Sequence, residues 1–153
     1  MSGTTNSLLE ISDYLHNKNK EGARDTIAKL ESKYAAVIAE LLTKPEAVAK
    51  AKAYVGEVFA TLRNFTKELF SQVEEKIIVA QGELISTHLM TFYLEEQGVD
   101  VKLLPALDFM RIDGNGEPDT DYIREKLASV LEASGPAFIY ITQGFICRNL
   151  HGE

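Results

Sequence analysis

Two runs of apolar residues, one on each side of Pro45, recur at alternating steps of three and four. The first is Ala23, Ile27, Leu30, Tyr34, Val37 and Leu41; the second is Val48, Ala51, Val55, Val58, Leu62, Phe65 and Leu69. That spacing puts each run on one face of an α-helix. Pro45 disfavours the α conformation of the residue before it, so the first helix stops near Leu42. Thr43 with Glu46 offers a cap for the second helix, whose first turn accepts Pro. The pattern predicts an antiparallel helical hairpin over about residues 20–70. Heptad-like spacing would also serve a coiled coil between chains, but only about three heptads and a tight turn favour an intramolecular pair. Packing between chains stays open.

The chain has 153 residues, 45% of them hydrophobic and 25% charged, which suits one globular domain with a single core. Its 16 Lys and Arg stand against 23 Asp and Glu, a net charge of -7, so no nucleic-acid partner is expected. No apolar run approaches the ~20 residues that span a bilayer, and the N-terminus lacks the basic start and apolar stretch of a signal peptide. The expectation is a cytoplasmic protein with no membrane partner. The single cysteine, Cys147, excludes an internal disulfide and reads as a buried small apolar residue rather than a nucleophile.

Residues 1–7 are small and hydroxyl-rich and run directly into a helical face marked by Leu8, Ile11 and Leu15, with Ser7 and Glu10 at capping-box spacing. In α/β proteins such a loop follows a strand and offers N–H groups and hydroxyls to an anion. Here no strand precedes it, so an ordinary helix cap and a ligand loop are both open. A later helix, from about Ile77 to Leu94, is apolar nearly all round and stops near Gly98, yet carries Gly82-Glu83 in its middle. Gly costs roughly 1 kcal/mol against Ala there. A carboxylate in such company must find a partner or shift its pKa. A functional carboxylate facing a cavity and a structural one paired to Lys or Arg remain alternatives. His88, in the same helix, reads as a hydrogen-bonded core histidine.

Beyond Gly98 the period changes. Val99 to Leu104 reads as a short strand, residues 111–119 as a polar turn, and Asp119 to Ala133 as a helix with Ile123, Leu127, Val130 and Leu131 inward. Asp113, Asn115, Glu117 and Asp119 briefly suggest a calcium loop, but Pro118 stands where that loop needs Gly and Arg124 where it needs Glu, so no metal site is expected. Ala137 to Ile141 is a β-rich apolar run ending in Thr142-Gln143-Gly144-Phe145. Ligands of α/β sheets bind at such carboxyl ends of strands. The predicted class is therefore α/β, mostly helical, with a long antiparallel hairpin and a small, mostly parallel sheet. Both ends fall where such a domain would be building its site, which predicts an internal piece of a larger domain.

Ser2-Gly3-Thr4-Thr5-Asn6, Gly82-Glu83-Leu84-Ile85-Ser86-Thr87 and Ile141-Thr142-Gln143-Gly144-Phe145-Ile146 resemble, in order and approximate separation, three motifs of the aspartate kinases in the amino-acid kinase superfamily. The resemblance covers nearly the whole chain, with the hairpin inserted between the first two motifs. It implies a partial amino-acid kinase fold, residues 1–153 being part of a catalytic domain with no regulatory domain. It also implies phosphoryl transfer from ATP with Mg2+ to the side-chain carboxylate of L-aspartate, giving 4-phospho-L-aspartate for lysine, threonine and methionine biosynthesis. By that pattern Thr5 lies at the aspartate site, Glu83 accepts the substrate ammonium and Phe145 contours the pocket. A homo-oligomer is the expected assembly.

The departures bear on activity. Family members begin with a strand ending in Lys-Phe-Gly-Gly-Thr-Ser, whose lysine neutralises the transferring phosphate, and carry Arg-Gly-Gly-Ser-Asp after the third motif. Neither is in this chain, so no catalytic residue is assigned within it and the isolated chain is expected to be inactive. A non-catalytic helical scaffold or oligomerisation module is the alternative from a different class. It leaves Gly82-Glu83 and the Thr/Gly loop unexplained. A kinase of another carboxylate or carbamate would share the fold but would not be expected to carry the hairpin.

Overall fold

The computed structural model describes residues 2–67 and 69–153; Met1 of the N-terminal stretch lies outside them. Four helices come first: α1 (Thr4–His16), α2 (Lys20–Leu41), α3 (Pro45–Phe65) and α4 (Gln72–Glu96). Strand β1 (Val101–Leu103), a 3₁₀ turn (Ala106–Asp108), α5 (Thr120–Ser134) and β2 (Ile139–Ile141) follow. The two strands pair in parallel, with Val101 opposite Ile139 and Leu103 opposite Ile141. This is the expected α/β class, mostly helical with a small parallel sheet.

The predicted stripes pack where their period puts them. Ala23, Ile27, Leu30 and Tyr34 of α2 are buried with Ala51, Val55, Val58 and Leu62 of α3, and one core joins them to Leu8, Ile11 and Leu15 of α1 and Ile78, Ile85 and Leu89 of α4. Burying each such Leu or Ile contributes about 1.5–3 kcal/mol. The arms of the hairpin pack on each other within one chain. The stripe of α2 drifts toward its end, where Ile38 is buried and Val37 and Leu41 only half so, because 3.6 residues per turn outruns a strict heptad. Leu69 is 97% exposed, since α3 has already ended at Phe65.

Two end signals differ from expectation. Ser7 does not cap α1. The helix starts earlier, at Thr4, with Gly3 as its cap at a φ of 82°, and the Ser7 hydroxyl donates back to the Gly3 carbonyl at 3.3 Å. Thr43 and Glu46 form no capping box either. Lys44 stands at the cap of α3 without a side-chain bond, and Thr43 is taken by Glu96 at the far end of α4. The Glu96 carboxylate, itself buried, accepts from the Thr43 N–H at 3.0 Å, the Thr43 hydroxyl at 2.6 Å and the Lys44 N–H at 3.0 Å. It thereby satisfies donors at the start of α3 that the local sequence leaves open. The capping box in the structure is Ser71 with Glu74 at the start of α4, where the Ser71 N–H donates to Glu74 at 2.8 Å.

The second half is thinner. Ile123, Leu127, Val130 and Leu131 of α5 are half-buried, and no residue of that helix is fully buried, contrary to the inward face expected of it. Its ends are held by polar contacts instead. Asp119 caps it by accepting from the Tyr122 N–H at 3.2 Å, while Arg111 pairs with Asp119 and stacks 3.6 Å above the Tyr122 ring. At the other end Lys102 donates to the Ser134 carbonyl. In the turn at residues 111–119, Asp113 is spent on the turn itself. Asp113 accepts from the Asn115 and Glu117 N–H groups at 2.8 and 3.0 Å, which holds it below the usual carboxylate range.

Candidate functional site

Glu83 sits at the midpoint of α4, half-buried, and among the described residues its carboxylate has no hydrogen-bond or ion-pair partner. No Lys or Arg among the described residues pairs with it. Gly82, one residue earlier, faces α1: a Cβ built there would lie 3.4 Å from Leu8 Cδ1 and 3.5 Å from Thr4 Cγ2. The first turn of α1 rests on α4 here, beside Glu83. Thr4 is buried in that contact and shares a hydrogen bond of 3.0 Å with the hydroxyl of Tyr34, from the first arm of the hairpin. Burial raises the Tyr34 pKa above its ordinary value; the Thr4 bond opposes the shift and the nearby Glu83 charge adds to it. Tyr34 thus stays a neutral hydroxyl at the edge of the site.

The loop after β2 reaches the same helix from the other side. Gln143, 4% exposed, accepts the Ala106 N–H on Oε1 at 2.7 Å and donates from Nε2 to Thr87 Oγ1 at 2.8 Å. The Thr87 hydroxyl donates in turn to the Glu83 carbonyl at 2.9 Å. All three motifs therefore converge on a single stretch of α4, residues 82–87. Thr5, in the first turn of α1, is exposed, and the first N–H groups of that helix have no acceptor within it. Phe145, two residues past Gln143, is fully exposed and adopts a φ of 60°, in the left-handed region that bulky side chains rarely occupy.

His88 behaves as the sequence suggests, and Cys147 does so in part. His88 donates from Nδ1 to the Leu84 carbonyl at 2.7 Å and stacks on Tyr54 with ring centroids 3.9 Å apart; burial lowers its pKa. His16 makes a 2.8 Å contact with Glu75. Cys147 is half-buried rather than enclosed. No group of three His, Cys, Asp or Glu among the described residues could hold a metal ion, and no helix there is long and apolar enough to cross a membrane. Sequence reasoning missed Tyr34, Thr87 and Gln143. A tyrosine in an apolar stripe signals a hydroxyl that must find a partner, and Thr87 lies one turn from Glu83 on the same helix face.

Solved structures that superpose on this chain include aspartate kinases. Aspartokinase III of Escherichia coli in complex with aspartate and ADP (R-state) superposes with a TM-score of 0.78 over 100% of this chain and 34% of its own, at 20% identity. The aspartate kinase of Clostridium acetobutylicum superposes with a TM-score of 0.68 over 98% of this chain and 30% of its own, at 16% identity. The fold is that of the aspartate kinases. The lysine and aspartate complex of the E. coli enzyme (T-state) matches this aspartate-kinase fold with a TM-score of 0.62 at 21% identity. In sequence, the bifunctional aspartokinase/homoserine dehydrogenase 2 of E. coli K12 is 29% identical over 121 residues, which are 76% of this chain and 14% of that relative. No protein-family model matches. The chain spans about a third of the solved aspartate kinases and a smaller share of the bifunctional relative.

Proposed function

We propose that the chain is part of an aspartate kinase catalytic domain, with residues 20–70 as a helical insert and with the amino-acid subsite formed around residues 82–87. The observation that carries this reading is Glu83, a half-buried carboxylate with no partner among the described residues, set where three motif segments meet. A zwitterionic substrate needs such a carboxylate for its ammonium. It also needs N–H and hydroxyl donors for its α-carboxylate, and the first turn of α1 with Thr5 provides those. Phe145 supplies an apolar wall.

In the reaction the side-chain carboxylate of L-aspartate attacks the γ-phosphorus of ATP. The new O–P bond forms as the bond to the bridging oxygen breaks, giving 4-phospho-L-aspartate and ADP. Such transfer depends on positioning and charge neutralisation rather than on a covalent enzyme intermediate. The described residues offer no cluster that fits Mg2+, and the reading assigns ATP and Mg2+ no ligands in this chain. This chain's part is to hold and orient the acceptor, and by itself it is inactive. The complete enzyme is cytoplasmic, homo-oligomeric and serves lysine, threonine and methionine biosynthesis.

The test is to express the complete reading frame containing this segment and to trap the acyl phosphate with hydroxylamine. Aspartate-dependent hydroxamate is expected. Glu83→Ala is expected to raise KM for aspartate about a hundredfold with the fold intact, as loss of a charge-assisted contact does. Loss of thermal stability with KM unchanged would assign Glu83 to structure and favour the scaffold reading.

A further inference from the structure

Gln143 lies where three separate elements meet. Its side chain is 4% exposed and joins the loop after β2, the 3₁₀ turn after β1 and the middle of α4. The direction of each bond is determined by its partners. A backbone N–H can only donate, so the atom facing Ala106 is the carboxamide oxygen and the atom facing Thr87 is the NH₂. The Thr87 hydroxyl has a carbonyl in front of it, that of Glu83 at 2.9 Å, and so spends its proton there and accepts from Gln143 with a lone pair. One acceptor and one donor, at the reach of a three-bond side chain, are what this position uses. Glutamate lacks the donor, asparagine the reach, and methionine both polar groups.

We propose that Gln143 is a positioning residue for the amino-acid subsite, a reading that rests on the function proposed above. It touches no substrate. It holds Gly144 and Phe145, the next two residues, at a set distance from the α4 turn that carries Glu83. Phe145 shows why a tether is needed there. Its ring is fully exposed and its φ is 60°, so packing does not hold it in place. The buried polar anchor of this loop, Gln143, is one residue before Gly144. Without it, the wall formed by Phe145 moves relative to Glu83, and the aspartate side of the site loosens while other parts of the enzyme do not.

The test uses the complete enzyme with Gln143→Met, which keeps the length of the side chain and removes both bonds, and Thr87→Val, which removes the hydroxyl at the other end with little change of shape. Both are expected to raise KM for aspartate about tenfold while KM for ATP stays within about twofold and the melting temperature stays close to the parent's. A purely structural role does not separate the two substrates in this way. If the parent enzyme is active and either folded variant leaves KM for aspartate unchanged, or moves both KM values together, the proposal is overturned and the aspartate kinase reading stands. Loss of the fold in both variants overturns it as well and leaves the clasp a matter of stability. If the parent forms no aspartyl hydroxamate, the functional reading fails and the proposal falls with it.

Discussion

At Gly82 two requirements that usually conflict can be separated. A Cβ at this position meets Leu8 Cδ1 at 3.4 Å and Thr4 Cγ2 at 3.5 Å, ordinary contact distances, so alanine fits. Helix propensity then gains about 1 kcal/mol. Gly82→Ala is accordingly expected to raise the thermal stability of the chain, read by circular dichroism, whereas Gly82→Val extends into α1 and is expected to lower it by about 1–3 kcal/mol through overpacking. A glycine that costs stability and is sterically replaceable points to the site beside it. The sequence marks that tension, because Gly82-Glu83 is the one pair that does not suit an apolar helix. It does not mark Gln143, whose partners lie 37 and 56 residues away. No local pattern records such a bond.

Among the elements, the hairpin was legible and its fastening was not. Alternating steps of three and four specify both arms because each buries one face against a neighbour, and the arms are long enough for the period to show. The capping residues misled for a physical reason. Ser, Thr and Glu at cap spacing compete with any better acceptor that the fold brings near, and at Thr43 a carboxylate from another helix wins. The Thr43 hydroxyl bond, with the Thr43 and Lys44 N–H groups, lowers the Glu96 pKa from its ordinary 4.5, against a smaller opposing effect of burial. A folded-state pKa below the unfolded one means stability present above about pH 4.5 and lost as pH falls through the folded value. Glu96→Gln is therefore expected to melt earlier than the parent at neutral pH. The gap between the two melting temperatures should narrow as pH drops below 4.5, and a gap that stays constant would contradict the assignment.

Over the whole molecule, burial is unevenly shared. The core runs through α1 to α4, while α5 has no fully buried residue and Phe138, just before β2, is 84% exposed. Opening free energies follow buried apolar contact. Amides of α5 are expected to exchange with deuterium well before those of Leu8, Ile27, Phe59 or Ile85, in a partial opening that leaves the four-helix part folded; uniform exchange would show one cooperative unit instead. This asymmetry also limits what the sequence conveys. Apolar residues of α5 and β2 have the periods of a covered helix and a central strand, and the period alone does not say how much of that cover the chain itself supplies.

One consequence of the Glu96 clamp concerns length. Helix α4 has 25 residues, roughly 37 Å at 1.5 Å per residue. It is pinned at one end, where Ser71 and Glu74 cap it and Glu75 meets His16, and at the other where Glu96 grips the bend between α2 and α3. It thus acts as a gauge bar against which both arms are cut. Adding one turn to a single arm displaces Thr43 by about 5.4 Å and breaks the grip; adding it to both arms carries the bend past the end of the bar. In homologous or engineered chains, a change of hairpin length is tolerated only with a matching change in α4, and every such change shifts Glu83 from the midpoint it now occupies.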